Sequence, residues 1–194
     1  MSDSVCPVIR AFLFSWNASA DDDFLQKLKP FSGSVIGTAG DGHTEARLWM
    51  ETDWYVRVCA PAWLDLAKHT EHASALRAVQ PITSEASAIA TQPVIDAAAN
   101  LQAELAEEMA KKAAFAHLVA GTFVRMLGWE LEEGNFGMTP AMIKAWSAAH
   151  LAATSATMTA WLMVRDAKQE RKPATEWMKT SMLDLLERMI AGPF

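Results

Sequence analysis

The sequence predicts an all-α fold: a single-domain multi-helix bundle with two long helices in its C-terminal half and a short kinked helix after Pro61. Three observations carry this. Apolar residues recur at helical spacing along nearly the whole chain, and the breaks between the periodic runs hold proline, glycine or N-cap residues. No segment alternates with period two for long enough to make a strand. With 194 residues, 51% apolar and 21% charged, the chain is long enough to bury one core. Residues 1–194 therefore read as one helical domain, with 1–80 and 81–194 as its sub-lobes.

The first helix starts near Pro7, whose fixed φ suits a first turn, and carries Val8, Ile9, Phe12, Leu13 and Trp16 until Asn17 and Ser19 interrupt it. Ser19 is the N-cap of a second helix that runs through Leu25 and Leu28 toward Pro30. Its Asp21, Asp22 and Asp23 lie against the positive end of the helix dipole, which explains three adjacent aspartates without a metal. Gly33, Gly37, Gly40 and Gly42 then punctuate a loop. It has no preceding strand and no lysine, so it reads as a turn between helices rather than a phosphate cradle.

Residues Leu48 to Leu66 hold three of the eight tryptophans, the single tyrosine and one of the two cysteines. At helical spacing Leu48, Trp49, Thr52, Tyr55, Val56 and Cys59 form a core stripe, Met50, Trp54 and Val58 form a second apolar stripe, and Asp53 and Arg57 pair between them. A helix with two apolar sides is either central or has one side waiting for a partner. Met50, Trp54 and Val58 are thus candidate partner-binding residues. Pro61 calls for a kink or a new start, followed by a short helix from Ala62 to His69 with Trp63, Leu64 and Leu66.

Thr83 and Ser84 offer caps after Pro81, and Pro93 fits the first turn of a long helix reaching about Leu127. Alanine dominates its first half, Glu107–Lys111 and Glu108–Lys112 are i,i+4 pairs, and Phe115, Leu118, Val119, Phe123, Met126 and Leu127 are expected in the core. Gly128 should end it, leaving 129–138 as a loop. Thr139 and Pro140 read as N-cap and first residue of a helix extending to about Lys168 through Met142, Ile143, Trp146, Leu151, Met158, Trp161, Leu162 and Val164. The last helix is capped by Thr175, carries the stripe Met178, Met182, Leu185, Leu186 and Met189, and stops at Gly192-Pro193.

The formal net charge of −6 and pI near 5.3 disfavour direct nucleic-acid binding, which draws its affinity from a basic face on phosphates. They suit a basic protein partner, including a nucleic-acid-binding protein. No apolar run reaches the ~20 residues that span a bilayer, and the N-terminus lacks a signal-peptide pattern, so a cytoplasmic protein without membrane contact is expected. Cys6 and Cys59 have no Cys-x-x-Cys spacing and read as reduced, buried thiols. No cofactor is implied.

Chemistry-bearing motifs are sparse. Asp65, His69 and His72 are the best metal candidates, since i,i+3 histidines with a carboxylate one turn earlier can share an ion. The order His-Thr-Glu-His differs from the His-Glu-x-x-His of helix-borne zinc sites, and imidazoles at a helix end satisfy terminal carbonyls. His43, His117 and His150 are isolated, and Cys59 lies on the core stripe, away from anything that would stabilise a thiolate. The segment 129–138 mixes Trp129, Leu131 and Phe136 with Glu130, Glu132 and Glu133, the combination of aromatic anchors and steering carboxylates found at protein-binding surfaces; the equal alternative is that Trp129 and Phe136 fold back on the core. Homo-oligomerisation through the second tryptophan stripe is the alternative use of an apolar face.

Cys6-Pro-Val-Ile, Leu28-Lys-Pro-Phe, Thr52-Asp-Trp-Tyr-Val-Arg and Ala60-Pro-Ala-Trp-Leu-Asp-Leu-Ala follow one another in the first half, with His72-Ala and Leu76-Arg behind them. This order resembles a group of helical, often alanine-rich proteins of phage and bacterial genomes, over about residues 5–80 and the closing Leu-Leu-Glu-Arg-Met-Ile. The group brings no activity or catalytic residue. The resemblance implies an accessory protein of a phage or mobile element and nothing more. The acidic charge and the lack of a catalytic motif make a non-enzymatic protein that binds a host or defence component, as anti-CRISPR inhibitors do, the leading expectation. A small enzyme or metal-binding protein using Asp65, His69 and His72 is its rival.

Overall fold

The computed structural model describes residues 4–17, 22–101, 107–134, 136–166 and 172–192, and these form helices and turns with no strand. Helix α1 (Pro7–Asn17) starts at the expected proline and buries Val8, Ile9 and Phe12. Helix α2 (Asp22–Leu28) opens on Asp22 and Asp23 and leads into a 3-10 turn over Lys29–Phe31. The Ser19 cap, Asp21, the side chain of Trp16 and Pro193 lie outside the described residues. In the loop that follows, Gly37, Gly40 and Gly42 all have positive φ, a conformation that costs a residue without a Cβ little.

Helix α3 (Thr44–Trp54), one π-helical turn (Tyr55–Cys59) and helix α4 (Ala60–Leu66) form a single uninterrupted stretch. Pro61 therefore starts no new helix. The Ala60 N–H bonds the Tyr55 carbonyl five residues back, and this widened turn makes room for a proline ring that would otherwise strike the carbonyl one turn behind it. The stretch ends at Lys68, with the His69 N–H on the Leu64 carbonyl at 2.8 Å and the Lys68 N–H on the Asp65 carbonyl at 3.0 Å. That is a Schellman closure, and Lys68 occupies its left-handed position at φ 69°. Helix α5 (Thr70–Ala78) follows, an element the sequence reading omits because no glycine announces the break before it.

The expected helix from Pro93 to Leu127 is two helices. Helix α6 (Glu85–Ala99) begins about two turns earlier at a capping box, in which Ser84 and Ser87 satisfy each other's backbone N–H groups at 3.0 and 3.3 Å. Pro93 sits inside it, on the exposed side with Ile89, where water can serve the carbonyl that proline leaves unbonded. Helix α7 (Glu107–Glu133) runs straight through Gly128, so 129–133, the first half of the expected loop, is helix. The glycine's cost of about 1 kcal/mol is offset by the buried row Val124, Leu127 and Leu131 that continues past it.

Helix α8 (Pro140–Asp166) is the axis of the bundle and packs against α3, α4, α6 and α7. The Thr139 hydroxyl accepts from the Met142 N–H at 3.1 Å, the expected cap. Trp146, Ala149, His150, Ala153, Ala156 and Ala160 are all buried, and the small alanines let neighbouring backbones come close. Helix α9 (Lys172–Ala191) buries the whole predicted stripe Met178, Met182, Leu185, Leu186 and Met189. Its first turn contains Pro173, so Thr175 is an internal residue and not the cap. No described helix is long and apolar enough to cross a membrane.

Candidate functional site

The largest departure from the sequence reading is on α7. Ala113, Ala120, Val124, Leu127 and Leu131 face the bundle, whereas Phe115, Leu118, Val119 and Met126, all expected in the core, face solvent. Phe115 is 67% exposed, Leu118 60%, Met126 61% and Trp129 66%. Both sides of this helix are apolar, and packing against alanine-rich α8 selected the side with the smaller residues. At about 100° per residue, Phe115, Leu118, Thr122, Met126 and Trp129 lie within about 40° of one line. Such a continuous exposed row differs from scattered surface leucines.

An open groove of about 350 Å³ runs beside this row between α7 and α8, lined by Gly121, Val124, Gly128, Trp129, Ile143 and Leu151 among others. Gly121 and Gly128 create it, since side chains there would extend toward Leu151 and Ile143. At the end of α7, Glu130 pairs with Arg10 of α1 and ties the two helices. Glu132 and Glu133 are exposed, and Glu132 borders the groove. Phe136 folds back onto the core, its ring lying so close over Gly134 that any Cβ at that position would clash. Trp129, Glu132 and Glu133 thus share a surface, while Glu130 and Phe136 serve mainly to hold the end of the helix.

The second tryptophan stripe is not a surface. Trp54 is 2% exposed, meets Phe12 and Tyr55 edge-on, and donates from Nε1 to Ser181 Oγ at 2.8 Å. Met50 and Val58 are half-buried against the core. Helices α1 and α9 cover this side of the α3 stretch, which makes Trp54 a structural centre and removes it from the partner-binding set.

Asp65, His69 and His72 do not assemble into a metal centre. Asp65 is held by Arg77 at 2.6 Å, His69 is the residue before α5, and His72 lies in its first turn, with the two imidazole centroids 6.2 Å apart. Among the described residues no three His, Cys, Asp or Glu side chains are grouped so as to hold a metal ion. Cys59 offers no nucleophile either. Burial pushes its thiol up to about 12, which keeps it protonated.

The interior does contain polar atoms without hydrogen-bond partners: both carboxyl oxygens of Glu51, Trp146 Nε1 and His150 Nδ1. Burial raises the Glu51 carboxyl to about 8 and lowers the His150 imidazole to about 4, so both are mainly neutral at pH 7. His150 packs edge-on against Tyr55 of the π turn at 4.7 Å between centroids. His117 shares a 2.7 Å hydrogen bond with Ser155 and links α7 to α8.

No protein-family model, no curated protein and no solved structure matches this chain. The exposed row and groove of α7 stand on their own chemistry. Large apolar side chains lie along the centre of this face, with the exposed Glu132 and Glu133 at one end and the Glu107–Lys111 and Glu108–Lys112 ion pairs at the other.

Proposed function

We propose that this protein acts by binding protein rather than by catalysis, and that the outward face of α7 is its contact surface. The observation that carries this is the exposed row Phe115, Leu118, Met126 and Trp129 beside the α7–α8 groove. A helix face laid against a partner supplies affinity through such anchors, while the flanking charges set orientation. The first-half resemblance to helical phage and bacterial proteins, together with the net charge of −6, supports an accessory role directed at a host or defence component with a basic surface.

The test is affinity capture from bacterial lysate with the wild type and with the Leu118→Asp, Met126→Asp double variant. Both positions are exposed, so circular dichroism should be unchanged. The wild type should retain near-stoichiometric protein that the variant loses. Equal recovery by both would remove α7 from the reading.

A further inference from the structure

The α7 face has a two-fold character in its own sequence. Reversing the helix about Thr122 places Phe115 opposite Trp129, Leu118 opposite Met126, and Lys111 opposite Glu133. Lys111 and Glu133 lie within about 20° of the line through Thr122, directly at the two ends of the apolar row. A copy of this helix laid antiparallel on itself therefore meets apolar residues along its centre and opposite charges at both ends.

We infer that two copies of this chain associate through α7, antiparallel and two-fold symmetric about Thr122. The inference rests on the reading of this face as a binding surface and names its occupant. Charge selects the arrangement: a parallel pairing in register sets Lys111 against Lys111 and Glu133 against Glu133, whereas the antiparallel one forms a Lys–Glu pair at each end. Lys111 already donates to Glu107 at 2.8 Å on its own helix and remains 74% exposed, so its ammonium can still donate to a second carboxylate.

The groove fits the same arrangement. It flanks the row at the level of Met126 and lies on the side to which Leu118 leans, so Leu118 of the second copy reaches the opening between α7 and α8. The matched stretch from Lys111 to Glu133 is about 33 Å long. One helix pair of that length lies at the small end of specific interfaces, roughly 1,200 Å² in total. Any other protein that uses the face competes with the second copy.

Sedimentation velocity on the full chain from micromolar to millimolar concentration tests this. The wild type should shift from monomer to dimer. Lys111→Glu or Glu133→Lys alone should weaken the dimer about tenfold, and the double reversal should restore it. Thr122→Cys should form a disulfide-linked dimer under mild oxidation, because each copy meets itself at that residue and the native Cys6 and Cys59 are buried. A chain that stays monomeric throughout, or charge reversals that the double variant does not rescue, would overturn the inference. A monomer whose lysate capture is still lost in the Leu118→Asp, Met126→Asp variant overturns the dimer and leaves the binding reading intact. A monomer that captures nothing ends both.

Discussion

Arg47 grips Asp41 with both ends of its guanidinium, Nη1 at 2.8 Å and Nη2 at 2.6 Å from the two carboxylate oxygens. The arginine is fully buried, and its Nε donates to the Met189 carbonyl at 2.7 Å while Nη1 also reaches the Thr38 carbonyl at 3.0 Å. One side chain thus joins the glycine-rich loop, α3 and the end of α9. Removing it strands a buried carbonyl on α9 and frees the loop. Arg47→Ala should cost about 3–5 kcal/mol in urea unfolding, and Asp41→Asn less, since Asp41 is partly solvated. Equal stability of Arg47→Ala and wild type would show that the clasp is dispensable.

The same clasp predicts an acid response. The guanidinium beside Asp41 holds its carboxyl below the usual carboxylate range, so the folded state binds this proton less readily than the unfolded one. Its contribution is complete above the unfolded pKa and is lost as pH falls through the folded value. Asp41→Asn should remove that part of the acid sensitivity.

Glu51 and His150 predict a second pH dependence. With Glu51 raised from 4.5 to about 8, the folded state holds the extra proton between those values, so its contribution is full at low pH and is lost as pH rises. His150, lowered from 6.5 to about 4, acts in the opposite sense, and its contribution is lost as pH falls from 6.5. The two slopes oppose each other between about pH 4.5 and 6.5, and above 6.5 only Glu51 acts. Stability should fall by about 2 kcal/mol between pH 6.5 and 8 at ~1.4 kcal/mol per unit. Chemical denaturation of Glu51→Gln across this range should give a flat profile, and a persisting fall would assign the effect to another group.

Trp54 offers a packing test. Trp54→Phe keeps most of the ring volume but loses the hydrogen bond to Ser181, and should cost about 1–2 kcal/mol. Trp54→Ala empties a site bounded by Phe12 and Tyr55 and should cost about 3–5 kcal/mol. Neither change should alter self-association of the folded protein. A folded Trp54→Phe variant with altered oligomeric state would return this residue to the surface.

Lys68→Gly should stabilise the protein. Lys68 pays a steric cost at φ 69° that glycine avoids, and the Schellman hydrogen bonds are made by the backbone and survive the change. A gain of about 0.5–1 kcal/mol is expected, visible as a rise of about 2 °C in Tm for a chain of this size. A drop in Tm would mean that the lysine side chain makes a contact worth more than the strain.

The helical class was legible in the periodicity because each helix buries a stripe, and a stripe is a local pattern. The α9 row from Met178 to Met189 and the Thr139 cap need no knowledge of the remaining chain. The core stripe from Leu48 to Cys59 is likewise buried throughout. The break at Lys68 was not legible, because its left-handed turn is made by a lysine where a glycine would have signalled it. The passage of helix through Pro61 and Gly128 was also hidden, since local propensity argues against both and only neighbouring packing overrides it.

For the candidate site, the sequence determined which residues were apolar, acidic or aromatic, and it left open whether Trp129 and Phe136 lie at a surface or fold back on the core. Only the tertiary structure decided which side of each two-sided helix was covered. Trp54 and Leu118 both lie on a second apolar stripe. Helices α1 and α9 close over the first, while α8 takes the alanine side of α7 and leaves the second in solvent. The physical reason is that amphipathic periodicity records how much apolar surface a helix has and at what angle, but burial depends on the neighbour that arrives, and neighbours are chosen by the whole chain.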